Sequence, residues 1–293
     1  MKSDSLGRLP EQDGRFHVAS DLKQESLVSR ELLRSTDSHL VRPMVPGVIM
    51  IAIGGKSIMD ASPEIIHEVV RQIVALRDAG VQLIVGVGGG ERARHTFAVG
   101  ADLGIPSAGL ARVSGGAEEQ NRDILQFLLA PHGAVTFIKD HFQDLQLFLS
   151  QGMIPICIGQ PPYHFWEPPP EEGDMPDNGP DVGLLMMAEV IGAERVIYVK
   201  DVDGLYDRDP QDSREAKFIG EISARELLEA QLETLPVERE MLRTLPKMLS
   251  VQRVHIVNGH EPDRLRRCTL EDDTVMSTIV VQPPQDQSVE QAS

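Results

Sequence analysis

Short apolar runs, each ended by glycine or by a polar turn, recur along the chain and constrain its fold more than any other feature. Residues 48–53 run into a glycine pair, residues 81–87 into a glycine triplet, and residues 196–199 into an acidic turn. Segments with helical periodicity lie between these runs. Continuous apolar runs of this length are typical of strands that are buried on both faces. The alternation therefore predicts a doubly wound, mainly parallel sheet with helices on both faces.

The same two patterns predict the remaining elements. Further strands are expected at 134–138, 154–158, 217–219, 254–257 and 275–280. Helices are expected from residue 62, from about residue 91, and at 117–129, 140–150, 181–192, 224–230, 238–250 and 262–267. Pro246 should interrupt the helix that contains it.

Polar and low-complexity segments mark the limits of the folded part. Residues 1–42 are polar, and we expect a partly disordered extension with some helix around 21–33. Residues 43–283 should form one domain, and 284–293 a disordered tail. Within the domain, residues 160–180 are so rich in Pro and Gly that a long loop is expected.

The acidic balance limits the partners of the chain. A formal charge of −17 argues against nucleic acid and anionic membrane surfaces as partners. The negative net charge does not exclude anionic ligands, because backbone amides can form locally positive nests. Cys157 and Cys268 are too few for a disulfide framework. With no apolar signal core and no run that could cross a bilayer, we expect a cytoplasmic location.

Two glycine turns are candidate anion sites. Gly54 and Gly55 precede Lys56, but a Walker A loop would need glycine at position 50, where this chain has Met50. A plain tight turn explains the first site equally well. The second is a glycine triplet before a helix, where free amides and the helix dipole favour phosphate. Its candidate residues are Gly88, Gly89, Gly90, Arg92, Arg94 and His95.

The segment after the 196–199 run carries the most specific motif in the chain, V-D-G-L-Y-x-x-D-P. A polar loop at the carboxyl end of a strand is where α/β sheets bind ligands. A solvated acidic turn is the alternative interpretation. The residues concerned are Lys200, Asp201, Asp203, Gly204, Tyr206 and Asp209.

The ordered set of motifs resembles the amino acid kinase family, which includes uridylate, acetylglutamate and aspartate kinases. The resemblance runs from about residue 48 to residue 280, and it includes Asp181 after the long loop. It implies a single three-layer α/β/α sandwich around a mainly parallel twisted sheet. It also implies an acceptor half at about 43–180, a nucleotide half at 181–283, and the use of ATP with Mg²⁺.

The resemblance also implies roles for the motifs. The first glycine turn and the VDG loop would flank the nucleotide phosphates, the triplet would face the acceptor or an oxoanion, and Asp181 would orient catalytic lysines. A lysine is expected two residues before Gly54, but this chain has Ala52. The absence of this lysine should cost several kcal/mol of transition-state stabilisation in phosphoryl transfer. Lys56 is the candidate substitute.

Within the family the chain is similar to the members that store molybdenum, through the run from Pro161 to Trp166 and the Glu91–His95 segment. This similarity implies a cage that packs molybdate or tungstate clusters and hydrolyses ATP during loading. The cage would be a homo-hexamer, or a hetero-hexamer with a paralogous subunit. A uridylate kinase-like phosphotransferase and a catalytically silent nucleotide-binding subunit remain the alternatives.

Histidines are the candidate ligands for such clusters, because imidazole binds transition metals and donates hydrogen bonds to oxoanions. His164 lies in the Pro-rich loop, and His141 lies near the start of a predicted helix. Each could equally be an ordinary surface histidine.

Overall fold

In the computed structural model, the described residues are 8–12, 15–18, 43–159, 179–208, 215–232, 234–272 and 274–282. The chain divides into the units 1–42 and 43–293. In the first unit, strands β1 (Arg8–Gln12) and β2 (Arg15–Val18) form an antiparallel hairpin that the sequence did not predict. The helix expected around 21–33, most of the 160–180 loop and the tail at 284–293 lie outside the described residues.

The second unit is built on an eight-stranded sheet. Its strands are β3 (Ile49–Ile53), β4 (Leu83–Val87), β5 (Ala134–Thr136), β6 (Ile154–Ile158), β7 (Arg195–Lys200), β10 (Glu221–Ser223), β11 (Arg253–Asn258) and β12 (Thr278–Val281). A separate two-stranded ribbon joins β8 (Leu205–Tyr206) to β9 (Phe218–Ile219). The order in the large sheet is β10-β12-β11-β7-β3-β4-β6-β5. The β11–β12 pair is antiparallel and the other pairs are parallel, which confirms the predicted mainly parallel sheet.

Helices cover the sheet. They are α1 (Pro63–Asp78), α2 (Gly90–Asp102), α3 (Ser107–Leu129), α4 (Leu145–Ser150), α5 (Pro180–Ile191), α6 (Ala224–Glu229), α7 (Arg239–Thr244) and α8 (Arg264–Thr269). Two buried apolar clusters pack against the sheet, one containing Leu184 of α5 and the other Ile73 of α1. Alternate residues of β3 divide between them, with Met50 in the first and Ile51 in the second. This division confirms the three-layer α/β/α arrangement.

The two largest differences between predicted and observed helix boundaries have identifiable reasons. Helix α3 begins at Ser107, well before the predicted start at residue 117, because its first turns contain glycines that weaken the sequence signal. The helix predicted at 238–250 ends as α7 at Thr244, and a 3₁₀ turn at Leu245–Lys247 follows. Pro246 lies in that turn, which confirms the predicted interruption.

Candidate functional site

The two glycine turns and Lys200 lie together at the carboxyl edge of the sheet, because β7, β3 and β4 are neighbours. The strand ladder continues briefly past the end of β3. The Gly54 amide donates to the Val199 carbonyl at 3.0 Å, and the Gly88 amide donates to the Ile53 carbonyl at 3.1 Å. The motifs that the sequence places after three separate strands therefore meet at one site.

The two glycine turns pack backbone against backbone. A Cβ atom on Gly55 would lie 2.2 Å from the Gly90 nitrogen and 2.7 Å from the Gly88 carbonyl, so a side chain is excluded there. Gly90 has a φ of +69°, and a Cβ atom on it would lie 2.2 Å from a carboxylate oxygen of Asp60. That carboxylate accepts from the Glu91 amide at 2.7 Å. The start of helix α2 is therefore already partly capped from within the protein.

A cleft of about 540 Å³ opens over these turns, between the start of α5 and the end of β7. The predicted site residues that line it are Gly54, Gly55, Lys56, Gly88, Gly89, Gly90, Arg94, Asp181, Lys200 and Asp201. The structure thus brings together most of the predicted nucleotide and oxoanion residues.

A buried ion pair lies in this cleft. The Lys200 ammonium donates to both carboxylate oxygens of Asp181 at 2.9 Å, and the two side chains are 12% and 10% exposed. The Tyr198 hydroxyl donates to the Asp181 backbone carbonyl at 2.7 Å. Burial, and then the Asp181 charge, raise the pKa of Tyr198, so its hydroxyl remains a donor. Asp181 therefore holds the Lys200 ammonium in place.

Glu238 is a member of the site that the sequence did not single out. Its carboxylate accepts from the Val182 amide at 3.1 Å, and its own amide donates to the Asp181 carboxylate at 3.2 Å. Burial first, and then the charge of Asp181, raise the pKa of Glu238 to about 7. Glu238 directly precedes α7, and the chain between α5 and Glu238 contains the strands β7 to β10 and helix α6. No local pattern marks it as a site residue.

Lys56 lies at the rim of the cleft rather than in its interior. Its ammonium pairs with the Glu91 carboxylate at 2.8 Å, and both side chains are more than half exposed. Arg94 lies 3.6 Å from the same carboxylate. One carboxylate thus partly neutralises both cations at the rim.

Arg92 and His95 do not line the cleft. The Arg92 guanidinium donates to the side-chain oxygen of Asn121, whose amide donates to the Gly88 carbonyl at 2.7 Å. Asn121 is fully buried, so this chain of hydrogen bonds supports the triplet from behind. His95 is exposed on α2.

The residues of the VDG loop from Asp203 to Tyr206 make contacts within the protein and do not line the cleft. The Asp203 carboxylate accepts from Asn258 at 3.0 Å and pairs with Arg264. Gly204 has a φ of +143°, and a Cβ atom on it would lie 2.4 Å from the Thr278 hydroxyl. Tyr206 packs edge-on against Phe218, with ring centroids 5.5 Å apart. Asp209 lies outside the described residues.

Of the predicted metal ligands, His141 is exposed in a 3₁₀ turn away from the cleft lining, and His164 lies outside the described residues. Within the described ranges, we find no group of three or more His, Cys, Asp or Glu side chains placed to hold a metal ion. These residues therefore provide no closed metal site of their own.

Ala52 lies beside Tyr198 in the sheet and is 2% exposed. Lys200 follows Tyr198 by two residues on β7, so it projects from the same face of the sheet. The neighbouring strand therefore carries a cation on the face of the sheet that Ala52 also occupies, two residues further toward the carboxyl edge.

The class of protein follows from a match to a family model. The model of the amino acid kinase family matches residues 47–258, which is well over half of the chain. The chain belongs to the amino acid kinase family. This match covers both glycine turns, Asp181, the VDG loop and Glu238.

Two kinds of protein within the family are similar to this chain. The molybdenum storage protein subunit beta of Azotobacter vinelandii is 34% identical over 246 residues, which cover 84% of this chain and 91% of that relative. A uridylate kinase of Methanocaldococcus jannaschii is 28% identical over 184 residues, which cover 62% of this chain and 75% of the enzyme.

Solved structures support the fold. The uridylate kinase of Archaeoglobus fulgidus superposes with a TM-score of 0.61 at 19% identity, covering 80% of this chain and 99% of that one. The UMP kinase of Bacillus anthracis gives a TM-score of 0.61 at 16% identity, covering 80% and 96%. Among the residues that the structure describes, no helix is long and apolar enough to cross a bilayer.

Proposed function

We propose that this chain is a subunit of a cytoplasmic molybdenum-storage assembly. It binds ATP in the cleft and packs polynuclear oxometalate clusters inside an oligomeric cage. The observation that carries the proposal is the combination of a cleft floored by two glycine turns with Ala52 in place of the lysine expected on β3. Sequence identity of 34% to a molybdenum storage subunit supports the same choice.

The cleft suits the phosphates of a nucleotide. The two glycine turns place backbone at its floor without side chains, and Lys200 adds a positive charge next to them. Asp201 is exposed at the same cleft, and it has no partner among the described residues. Mg²⁺ that accompanies ATP is held mostly by phosphates and water and needs only one or two carboxylates, so Asp201 fits that role.

Uridylate kinase activity is the second candidate, and the Asp181–Lys200 pair favours it. Without a lysine at position 52, the transferred phosphoryl group loses a charge that would stabilise its transition state. We therefore expect slow hydrolysis of ATP or binding alone, and little transfer to UMP. A subunit that binds nucleotide without turning it over is the third outcome.

The test is elemental analysis by mass spectrometry of protein that has been produced and purified with molybdate and MgATP, with tungstate in a parallel preparation. We expect many metal atoms per chain and an oligomer by light scattering. The variant Lys200→Met should lose most of the metal, whereas the exposed control Lys217→Met should retain it.

Two results would contradict the proposal. A monomer with little metal would remove the storage function, because a cage cannot close around clusters as a single chain. Rapid phosphorylation of UMP by the same preparation would establish the kinase instead.

A further inference from the structure

The cleft contains more acid than base. Asp181 engages Lys200 through both carboxylate oxygens, and Glu238 lines the same cleft. Glu238 has no ion pair of its own among the described residues. If all three groups are ionised, the cluster has a net charge of −1 at the place where anionic phosphates would have to enter.

The position of Glu238 is fixed by a reciprocal clamp. The Val182 amide donates to the Glu238 carboxylate at 3.1 Å, and the Glu238 amide donates to the Asp181 carboxylate at 3.2 Å. The carboxylate also lies against Gly179, where a Cβ atom would come within 2.1 Å of it. Glu238 therefore helps to orient Asp181 and, through Asp181, the ammonium of Lys200.

The groups that face Glu238 determine its protonation. Burial and the Asp181 carboxylate both raise its pKa, whereas Lys200 and the amides of Asp181 and Val182 lower it. The Tyr198 hydroxyl is neutral, because its own pKa is raised. The balance gives Glu238 a pKa of about 7, so the ionised and protonated forms coexist near neutrality. Phosphates entering the cleft add negative charge and favour the protonated form.

We propose that Glu238 takes up a proton when nucleotide phosphates enter the cleft and releases it when they leave. This inference rests on the proposed function, because it takes ATP as the ligand of the cleft. Glu238 is a positioning residue here, and it acts through Asp181 and Lys200. The proton comes from the solvent, and no bond other than the O–H bond is made or broken.

The proposal gives a sign for the pH dependence. ATP should bind more tightly to the protonated form, so affinity should fall as the pH rises through about 7. One linked proton limits the effect to about tenfold per pH unit.

The experiment is titration calorimetry of the full chain with ATP near pH 7, in two buffers of different ionisation enthalpy. The wild type should show buffer-dependent heat from proton uptake. In E238Q, the amide oxygen still accepts from the Val182 amide but cannot titrate. We expect E238Q to lose roughly half a proton of uptake per ATP. Its affinity at about pH 8 should exceed that of the wild type.

Glu229→Gln is the matched control, because Glu229 is an exposed glutamate on α6 outside the cleft. It should behave like the wild type. The terminal phosphate of ATP also titrates near neutrality, so the measured quantity is the difference between E238Q and the wild type. Gly179→Ala is a second variant, in which the new methyl group displaces the Glu238 carboxylate from its position beside residue 179. It should also lower the proton uptake on ATP binding.

The outcomes separate the two proposals. Equal proton uptake in the wild type, E238Q and Gly179→Ala would overturn the inference about Glu238 and leave nucleotide binding intact. If E238Q does not fold, unchanged uptake in Gly179→Ala overturns the inference by itself. No binding of ATP at any pH would overturn the proposed nucleotide site and this inference together.

Discussion

Two charged clusters lie at opposite ends of strand β7 and have opposite compositions. At the carboxyl end, one cation, Lys200, pairs with Asp181, and a second acid, Glu238, lies beside that pair. At the amino end, one acid, Glu271, pairs with two arginines, Arg195 and Arg253. The first cluster lines a cleft, and the second joins β7 and β11 to the end of α8.

At each end, burial and the excess charge shift the pKa of one neighbouring group in the same direction. Burial first, and then the charge of Asp181, raise the pKa of Glu238 to about 7. At the other end, burial and the charges of Arg195 and Arg253 lower the pKa of His255 to about 4, with Glu271 opposing them. Since the Arg195 guanidinium also donates to the Thr269 carbonyl at 2.7 Å, we interpret this second cluster as structural.

Removing the shared cation should have the largest effect. Lys200→Met leaves two carboxyl groups in the cleft without their cation, and we expect a loss of about 3–5 kcal/mol in the free energy of unfolding near pH 8. Protonation of Glu238 should reduce that loss near pH 6. Urea denaturation at both pH values measures it, and the exposed Lys217→Met variant should change stability by less than about 0.5 kcal/mol.

A double variant sharpens this prediction. Adding E238Q to Lys200→Met removes one of the two uncompensated charges, so it should restore part of the stability and flatten the pH dependence. Equal losses at the two pH values would show that the pair does not compete for one cation.

The sequence predicts the fold well, because apolar runs and glycine turns act locally. Both glycine turns and Lys200 lie at the ends of strands whose apolar runs are long enough to identify, and parallel neighbours bring these ends together. The two-residue strands β8 and β9 are too short to leave such a pattern, and the strand predicted at 217–219 was only partly correct. The β1–β2 hairpin has no clear alternation either.

The site is less predictable, because its details depend on contacts between distant segments. Asp181 was found through the family motif, whereas Glu238 reaches it from a segment 57 residues further along the chain. Lys56 was expected at the phosphates, but it pairs with Glu91 at the rim. Side-chain direction at such a rim depends on which partner is nearest in space, and spacing in the sequence does not record that.

The amino-end cluster should make the protein sensitive to acid. The pKa of His255 is about 4 in the folded chain and near 6.5 when unfolded, so the unfolded chain binds more protons between these values. Stability should therefore fall as the pH drops from about 6.5 to 4, by on the order of 3 kcal/mol from this group. Glu238 acts in the opposite direction, since its raised pKa makes stability fall as the pH rises from about 4.5 to 7.

The variant His255→Gln tests the contribution of His255 through the change in unfolding free energy with pH, rather than through the unfolding free energy at one pH. Its unfolding free energy should lose less between pH 6.5 and 4 than that of the wild type, whereas E238Q should change only the slope above about pH 4.5. Parallel pH profiles for His255→Gln and the wild type would contradict the lowered pKa of His255 in the folded chain.

The smallest effect should come from the exposed pair at the rim of the cleft. Lys56 and Glu91 are 60% and 54% exposed, so solvent screens their attraction. We expect Lys56→Ala to change the free energy of unfolding by less than about 0.5 kcal/mol. It should weaken ATP binding only a few-fold, because Glu91 already neutralises part of its charge, whereas Lys200→Met should nearly abolish binding. Calorimetry on the two variants compares them directly. Losses of equal size would mean that Lys56 leaves Glu91 for the phosphates when ATP binds and then contributes as much to phosphate binding as Lys200 does.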